Sequence, residues 1–229
     1  MATPQRPPLA AVVFDMDGLL VDTETISHRA WEQYLARDHG ATLTEADYAA
    51  IVGTYSLDTW TIIRDRLGLP LNLPDDLARL EAAVDAVYRG LLAEGVAPLP
   101  GAVDLARACH AAGLRLGIAS SSPLARVAEI VASVGLADIF DALTSGDEVP
   151  YSKPDPAIYR LACERLGVPP AAAVAVEDSG PGILAARAAG LRSLAVPSIY
   201  TSSHDLSAAS AVVPSLVGVT PADLAALPW

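Results

Sequence analysis

The most constraining feature of this chain is a short apolar run, Leu9-Ala10-Ala11-Val12-Val13-Phe14, that stops abruptly at Asp15-Met16-Asp17-Gly18. A run without polar alternation suits a strand buried on both faces, as in a parallel sheet covered by helices. Similar runs occur at Leu114–Ala119, Ala173–Val176 and Ser193–Val196, with weaker ones at Ala142–Thr144 and Ala211–Val213. Between the later runs, helical periodicity predicts helices near Val103–Ala112, Pro123–Val134, Pro156–Leu166 and Gly182–Ala189. Gly113, Gly135, Gly167 and Gly190 follow them, where left-handed helix caps are expected. Strand and helix alternate, so the expected fold is α/β: a doubly wound parallel sheet with helices on both faces.

One stretch breaks this rhythm. From Asp22 to about Gly95 the pattern is helical throughout, near Glu24–Arg37, Glu45–Val52, Leu57–Leu67 and Asp75–Leu92. Gly95-Val96-Ala97-Pro98-Leu99-Pro100-Gly101 then reads as a linker. The expected division is a core of residues 1–21 and 98–229 with a helical module, 22–97, inserted after the first strand. Abundant alanine and few aromatics favour helices packed on a sheet.

The formal charge of −12 excludes nucleic acid and anionic membranes as expected partners, because their phosphates would repel the chain. It leaves room for a small phosphate ligand if a metal supplies local positive charge. Cys109 and Cys163 lie far apart and form no metal spacing with the four histidines, which points to a reduced, cytoplasmic protein. No secretory or membrane segment is expected, and Met1–Pro8 reads as a loose polar tail. A monomer is the expected state.

Four clusters follow predicted strands, whose carboxyl ends share one edge of a parallel sheet. Asp15 and Asp17, two residues apart, could bind a cation. A calcium loop fails on spacing, since glycine is fourth rather than sixth and Ile26 stands where the bidentate glutamate belongs; a simple turn remains open. Ser120-Ser121-Ser122-Pro123 could cap a helix through Ser122, with free N–H groups and a hydroxyl for an anion. Lys153 is the only lysine beside fourteen arginines, which suggests a site that wants a compact point charge, although a surface lysine is also compatible. Glu177-Asp178-Ser179 closes a buried strand, where two acids are costly unless paired or metal-bound; a helix cap by Asp178 or Ser179 is the alternative. These are the parts that phosphoryl transfer needs: a carboxylate nucleophile, a cation and a lysine to offset a dianionic ester, and a second acid for the leaving oxygen. Gly180-Pro181-Gly182-Ile183-Leu184-Ala185, with Asp205 some way on, also fits the loose dinucleotide fingerprint, but Glu177-Asp178 would face the pyrophosphate.

The segment Phe14-Asp15-Met16-Asp17-Gly18-Leu19-Leu20-Val21-Asp22-Thr23-Glu24, with Ser120, Lys153-Pro154 and Glu177-Asp178-Ser179, resembles the four ordered motifs of the haloacid dehalogenase superfamily. Its beta-phosphoglucomutase-like phosphatase branch, with a small helical cap, is the most similar. The resemblance implies that Asp15 is a nucleophile that forms an aspartyl-phosphate and binds Mg²⁺. It makes Asp17 the general acid and base, with its backbone carbonyl on the metal. Ser120 and Lys153 would hold the phosphoryl group, with Ser121 beside the substrate. Asp178 would bind Mg²⁺, and Glu177 directly or through water. The implied activity is Mg²⁺-dependent hydrolysis of small phosphomonoesters, such as sugar phosphates, under a cap that closes for the first step and reopens for the second.

Substrate choice is expected in the cap, where Val52-Gly53-Thr54-Tyr55-Ser56 resembles the loop that faces the active site. Gly53, Thr54 and His28 are the candidate substrate contacts. The mutases of this branch carry an arginine in that loop and a histidine early in the first cap helix. Here the loop has no arginine, and Ser27 takes the histidine position with His28 beside it. Hydrolysis is therefore expected, with a phosphomutase as the alternative.

Overall fold

A computed structural model describes residues 7–52, 54 and 56–228. The expected tail lies outside them as far as Arg6, as do Gly53 and Tyr55 of the cap loop. Two compact units are present. One comprises the described residues up to Asp22 and from Ala97 onward; the other lies within Thr23–Val96.

The helical unit contains α1 (Thr23–His39), α2 (Glu45–Ala49), α3 (Ser56–Leu67) and α4 (Leu77–Ala93). Helices α1 and α4 pack together. Tyr34 and Trp60 are almost wholly buried, with ring centroids 5.8 Å apart edge to face, and Trp31 lies 4.7 Å from Trp60. Helix α2 opens on a capping box in which Thr44 and Asp47 satisfy each other's backbone N–H, and Arg66 Nε donates to Asp47 at 2.7 Å.

In the α/β unit, β1 (Ala11–Phe14), β2 (Arg115–Ser120), β3 (Ala142–Ser145), β4 (Ala173–Glu177), β5 (Arg192–Ala195) and β6 (Ala211–Val212) form one sheet. The spatial order is β3-β2-β1-β4-β5-β6, and every neighbouring pair is parallel. The chain thus builds outward from β1 on one side, then returns to β4 and builds outward on the other. The reversal lies between β1 and β4, and in sheets of this kind ligands bind outside the carboxyl ends of such strands.

Burial explains the apolar runs. Every residue of β1 and β4 is buried. Ala11, Val13, Ala173 and Ala175 share a cluster with Ile158, Tyr159, Ala162 and Leu166 of α7 (Ala157–Leu166) and with Ala185 and Ala186 of α8 (Gly180–Ala189). Val12, Phe14, Val174 and Val176 alternate to the opposite face and are fully buried too. On that count Phe14 alone contributes roughly 1.5–3 kcal/mol. Helix α5 (Ala102–Ala111) packs on β2 and against α9 (Pro221–Ala226). The four expected cap glycines all have positive φ, from 64° at Gly167 to 92° at Gly190.

Three details differ from the periodicity reading. Helix α6 (Leu124–Ser133) begins after Pro123, and Ser122 does not cap it. Helix α2 ends at Ala49 rather than near Val52. Helix α9 has no counterpart in that reading, although Thr220 and Asp223 form its capping box. Among the described residues, no helix is long and apolar enough to cross a membrane.

Candidate active site

Strand β1 delivers Asp15 to the carboxyl edge of the sheet, at the strand-order reversal. Its N–H donates to Val176 O of β4 at 2.9 Å, which extends the ladder one step beyond Phe14. The chain then turns tightly: Leu20 N–H donates to Met16 O at 2.9 Å and Gly18 N–H to Val21 O at 3.0 Å. Gly18, at φ 77°, supplies the left-handed residue that this turn needs. Met16, Leu20 and Val21 are fully buried, so the turn is packed from beneath. The main chain leaves this unit beside the point where it returns, with Asp22 N–H donating to Ala97 O at 2.9 Å and Leu99 N–H to Leu20 O at 3.0 Å.

Lys153 reaches Asp15 from the loop before α7. Asp155 shapes that loop by accepting from Ala157 N–H at 2.9 Å at the start of the helix. Lys153 Nζ donates to Asp15 Oδ1 at 2.6 Å, to Glu177 Oε1 at 2.6 Å and to Ala119 O at 2.9 Å. Glu177 ends β4 on the face that α7 covers and is wholly buried. Its Oε1 also accepts from Tyr159 OH at 2.7 Å, and its Oε2 from Ser179 Oγ at 2.9 Å and Ser179 N–H at 3.2 Å. Ser179 in turn accepts from Gly182 N–H at 3.2 Å and so caps α8.

Asp17 meets the end of β2. Ser120 Oγ donates to Asp17 Oδ2 at 2.9 Å, and Ser122 Oγ donates to the same oxygen at 3.0 Å. Ser122 thus faces the Asp17 carboxylate, and Pro123 rather than Ser122 occupies the position before the first turn of α6. Ser145 of β3 holds the loop by donating to Ser122 O at 2.8 Å. Ser121 is exposed on the same loop, where its backbone lies against Gly146. Asp178 is buried, and Thr201 donates to its Oδ2 at 3.4 Å from the segment after β5.

Asp15, Glu177 and Asp178 each offer an oxygen within 4.8 Å of the others, and all three are buried. Three carboxylates face one ammonium, an excess of negative charge where water cannot screen it. Burial foremost, with the Glu177 and Asp17 charges adding to it, pushes the Asp15 carboxyl up to about 8 against the pull of Lys153. Burial also opposes the Lys153 charge, but the Asp15 and Glu177 carboxylates outweigh it and hold the ammonium well above its ordinary range. An all-oxygen donor set with surplus negative charge fits a hard divalent cation such as Mg²⁺. Cys109 and Cys163 are buried thiols pushed up to about 11 by burial, which makes them poor nucleophiles.

The structure therefore brings Asp15, Asp17, Ser120, Lys153, Glu177 and Asp178 to one sheet edge. The remaining expected contacts lie in the helical unit. His28, partly buried on α1, stacks on Tyr48 with centroids 4.5 Å apart. Thr54 Oγ1 donates to Ile51 O at 2.7 Å and bonds Thr59 Oγ1 at 2.8 Å. Tyr159, Ser122 and Thr201 touch the site acids, a role that the sequence pattern does not assign them; polarity next to a motif is the available signal for Ser122, and none marks the other two. The glycines of the dinucleotide-like segment have a different cause. A Cβ on Gly182 would collide with the Glu177 carboxylate, and one on Gly180 would come within 3.0 Å of Asp205 O.

An open doubly wound sheet with buried acids and a lysine at its switch point is the arrangement of an α/β enzyme that handles an anionic group with a cation, as the haloacid dehalogenase motifs imply. Comparison with known proteins agrees. A haloacid dehalogenase-like hydrolase model matches residues 9–190, and the chain belongs to that family. It is 38% identical over 216 residues to protein CbbY of Rhodobacter capsulatus, covering 91% of this chain and 94% of that protein. Hexitol phosphatase B of Escherichia coli K12 is 35% identical over 209 residues, 86% of each chain. CbbY of Rhodobacter sphaeroides, solved in complex with xylulose-1,5-bisphosphate, superposes with a TM-score of 0.80 at 32% identity, covering 94% of this chain and 99% of that one.

Proposed function

We propose that the protein is a Mg²⁺-dependent phosphatase of small phosphorylated sugars and polyols. The observation that carries this reading is the convergence of Asp15, Lys153 and Glu177 at 2.6 Å, with Asp178 beside them, at the strand-order reversal. Asp15, Asp178 and the backbone carbonyl of Asp17 would hold the metal; Glu177, expected to bind it directly or through water, has both oxygens taken by Lys153, Tyr159 and Ser179 and would contribute its charge rather than a bond. When bound, Mg²⁺ would offset the charge on the phosphoryl oxygens. Asp15 attacks phosphorus and the bond to the leaving oxygen breaks. Asp17, placed by Ser120 and Ser122, gives that oxygen its proton. Asp17 then takes a proton from water as water attacks the aspartyl-phosphate, which releases phosphate and restores Asp15. Ser120 and Lys153 hold the phosphoryl group throughout.

Substrate contacts are proposed at Ser121 and, from the helical unit, at Gly53, Thr54 and His28. Two of the relatives, one by its name and one by its bound compound, point to open-chain phosphate esters. A hexitol has no carbonyl on which to close a ring, and esterification of O5 in xylulose-1,5-bisphosphate stops closure through that oxygen. The loop at residues 52–56 has no arginine, which supports hydrolysis over return of the phosphoryl group to substrate. A panel of ketose and polyol phosphates, assayed for phosphate release with Mg²⁺ and with EDTA, tests the reading. Turnover should require the metal and fall at least ~10⁴-fold in Asp15→Asn. Near wild-type turnover in that variant, or full activity in EDTA, would overturn it.

A further inference from the structure

Tyr159 belongs to no motif. It lies on the buried face of α7 beside Ile158, Ala162, Cys163 and Leu166 and has no exposed surface. Phenylalanine would fill nearly the same space, so the hydroxyl calls for its own account. A buried phenol without an acceptor would cost about 1–3 kcal/mol. Here it donates to Glu177 Oε1 at 2.7 Å, and its ring centroid lies 5.2 Å from Lys153 Nζ.

Counting donors and acceptors shows what that bond does. An ionised carboxylate has about four lone-pair sites. Glu177 fills four, with Lys153 and Tyr159 on one oxygen and Ser179 twice on the other. An ammonium has three N–H donors. Lys153 gives them to Asp15, Glu177 and Ala119 O. Two of those acceptors, Glu177 and Ala119 O, take no part in bond making. The third is Asp15, whose negative charge is lost when it takes up a phosphoryl group. The N–H that points at Asp15 must then pass to a phosphoryl oxygen while the other two stay fixed.

We propose that Tyr159 is a positioning residue for phosphoryl transfer: its hydroxyl locks Glu177 so that Lys153 keeps its place while one N–H passes from Asp15 to the phosphoryl oxygen. The inference rests on the phosphatase reading above. The Tyr159 hydrogen bond also draws on the charge of Glu177 Oε1, so that this carboxylate does not pull the ammonium away from the reacting group. Alignment is needed most in the transition state, so its loss falls on kcat rather than on KM.

The test compares wild type with Tyr159→Phe in Mg²⁺, on the best substrate of the panel, with orthovanadate as a transition-state-like inhibitor. A kcat about tenfold lower, a KM within about threefold, and orthovanadate inhibition weakened about tenfold are expected. A purely structural tyrosine would shift the melting temperature and leave kcat per folded molecule and the orthovanadate constant unchanged. Both constants within about twofold of wild type, or a raised KM at unchanged kcat, would overturn the inference. Should Tyr159→Phe not fold, 4-aminophenylalanine at residue 159 keeps the ring and supplies an N–H donor in place of the hydroxyl; kcat within about threefold of wild type is expected, and a loss of about tenfold or more overturns the inference. An active wild type with an unaltered Tyr159→Phe removes this inference alone, whereas an inactive wild type removes the phosphatase reading as well.

Discussion

In the helical unit Arg64 pairs with Asp65 at 2.7 Å while 34% and 61% of their side chains remain exposed. In the α/β unit Lys153 pairs with Asp15 and Glu177 at 2.6 Å with no more than 9% exposed. The two regions use charge for different ends. Exposed pairs contribute roughly 0–1 kcal/mol and can be lost without consequence. Buried ions are desolvated at a cost of several kcal/mol each, which attraction only partly offsets. The apolar layers on both faces of the sheet carry that cost, and the return is a lysine and acids held where water cannot compete. Stability and chemistry are therefore distributed unequally between the units.

The largest expected effect breaks the buried cluster. Lys153→Met should lower kcat about 10²–10³-fold by removing charge stabilisation from the transferring group. It should also destabilise the metal-free protein by about 3–5 kcal/mol, because Asp15 and Glu177 lose their common partner. Arg64→Met in the helical unit should leave stability close to wild type, because water screens its exposed pair with Asp65. Urea denaturation of both variants checks the difference, and equal costs would show that burial does not separate the two regions.

A pH series sharpens the contrast further. In the metal-free protein Asp15 is held at about 8, against an ordinary 3.8. Between those values the folded state binds a proton that the unfolded state releases, so stability falls as pH rises. Asp15→Asn lacks that proton equilibrium. Its stability advantage over wild type should therefore grow from pH 4 to pH 8, reaching on the order of a few kcal/mol. Asp47 in the helical unit behaves in the opposite sense. Its Thr44 hydrogen bond, then Arg66, hold its pKa below 3.8, so its contribution is present above that value and is lost as pH falls through the lowered one. Urea midpoints of wild type, Asp15→Asn and Asp47→Asn at pH 3, 5 and 8, without metal, would show a widening Asp15 gap and an Asp47 gap that closes only in acid.

The same contrast governs what the residues reveal before any fold is known. Leu9–Phe14 and Ala173–Val176 are legible as strands because burial on both faces leaves no polar alternation. Asp15, Lys153 and Glu177-Asp178 are legible because charge at the end of such a run is costly without a purpose. Tyr159 is not, since a tyrosine on an apolar helix face looks alike whether its hydroxyl meets a buried carboxylate, as here, or a stray carbonyl. Ser122 misleads because a serine before proline suits a helix cap, and only the fold brings the Asp17 carboxylate within 3.0 Å of it. The helical unit is legible as helices, but its periodicity says nothing about which hydroxyls are already in use, as that of Thr54 is with Ile51 and Thr59.

Two glycines give the smallest and most direct comparison. Gly182 lies in the first turn of α8, where a Cβ would collide with the Glu177 carboxylate. That carboxylate has no room to yield, because Lys153, Tyr159 and Ser179 fix both of its oxygens. Gly182→Ala should therefore cost about 1–3 kcal/mol by overpacking, and lower kcat as Glu177 shifts Lys153. Gly90 lies in α4, exposed, and a methyl group added there would have nothing within 4 Å. There the substitution meets no neighbour and removes only backbone freedom of the unfolded chain, so Gly90→Ala should stabilise by about 0.5–1 kcal/mol and leave kcat unchanged. Melting curves and kcat for the pair decide the point. Opposite signs in stability would tie the glycine at residue 182 to the carboxylate beneath it, whereas a gain at both positions would mean that Glu177 can move and that the lysine pivot is looser than its hydrogen bonds imply.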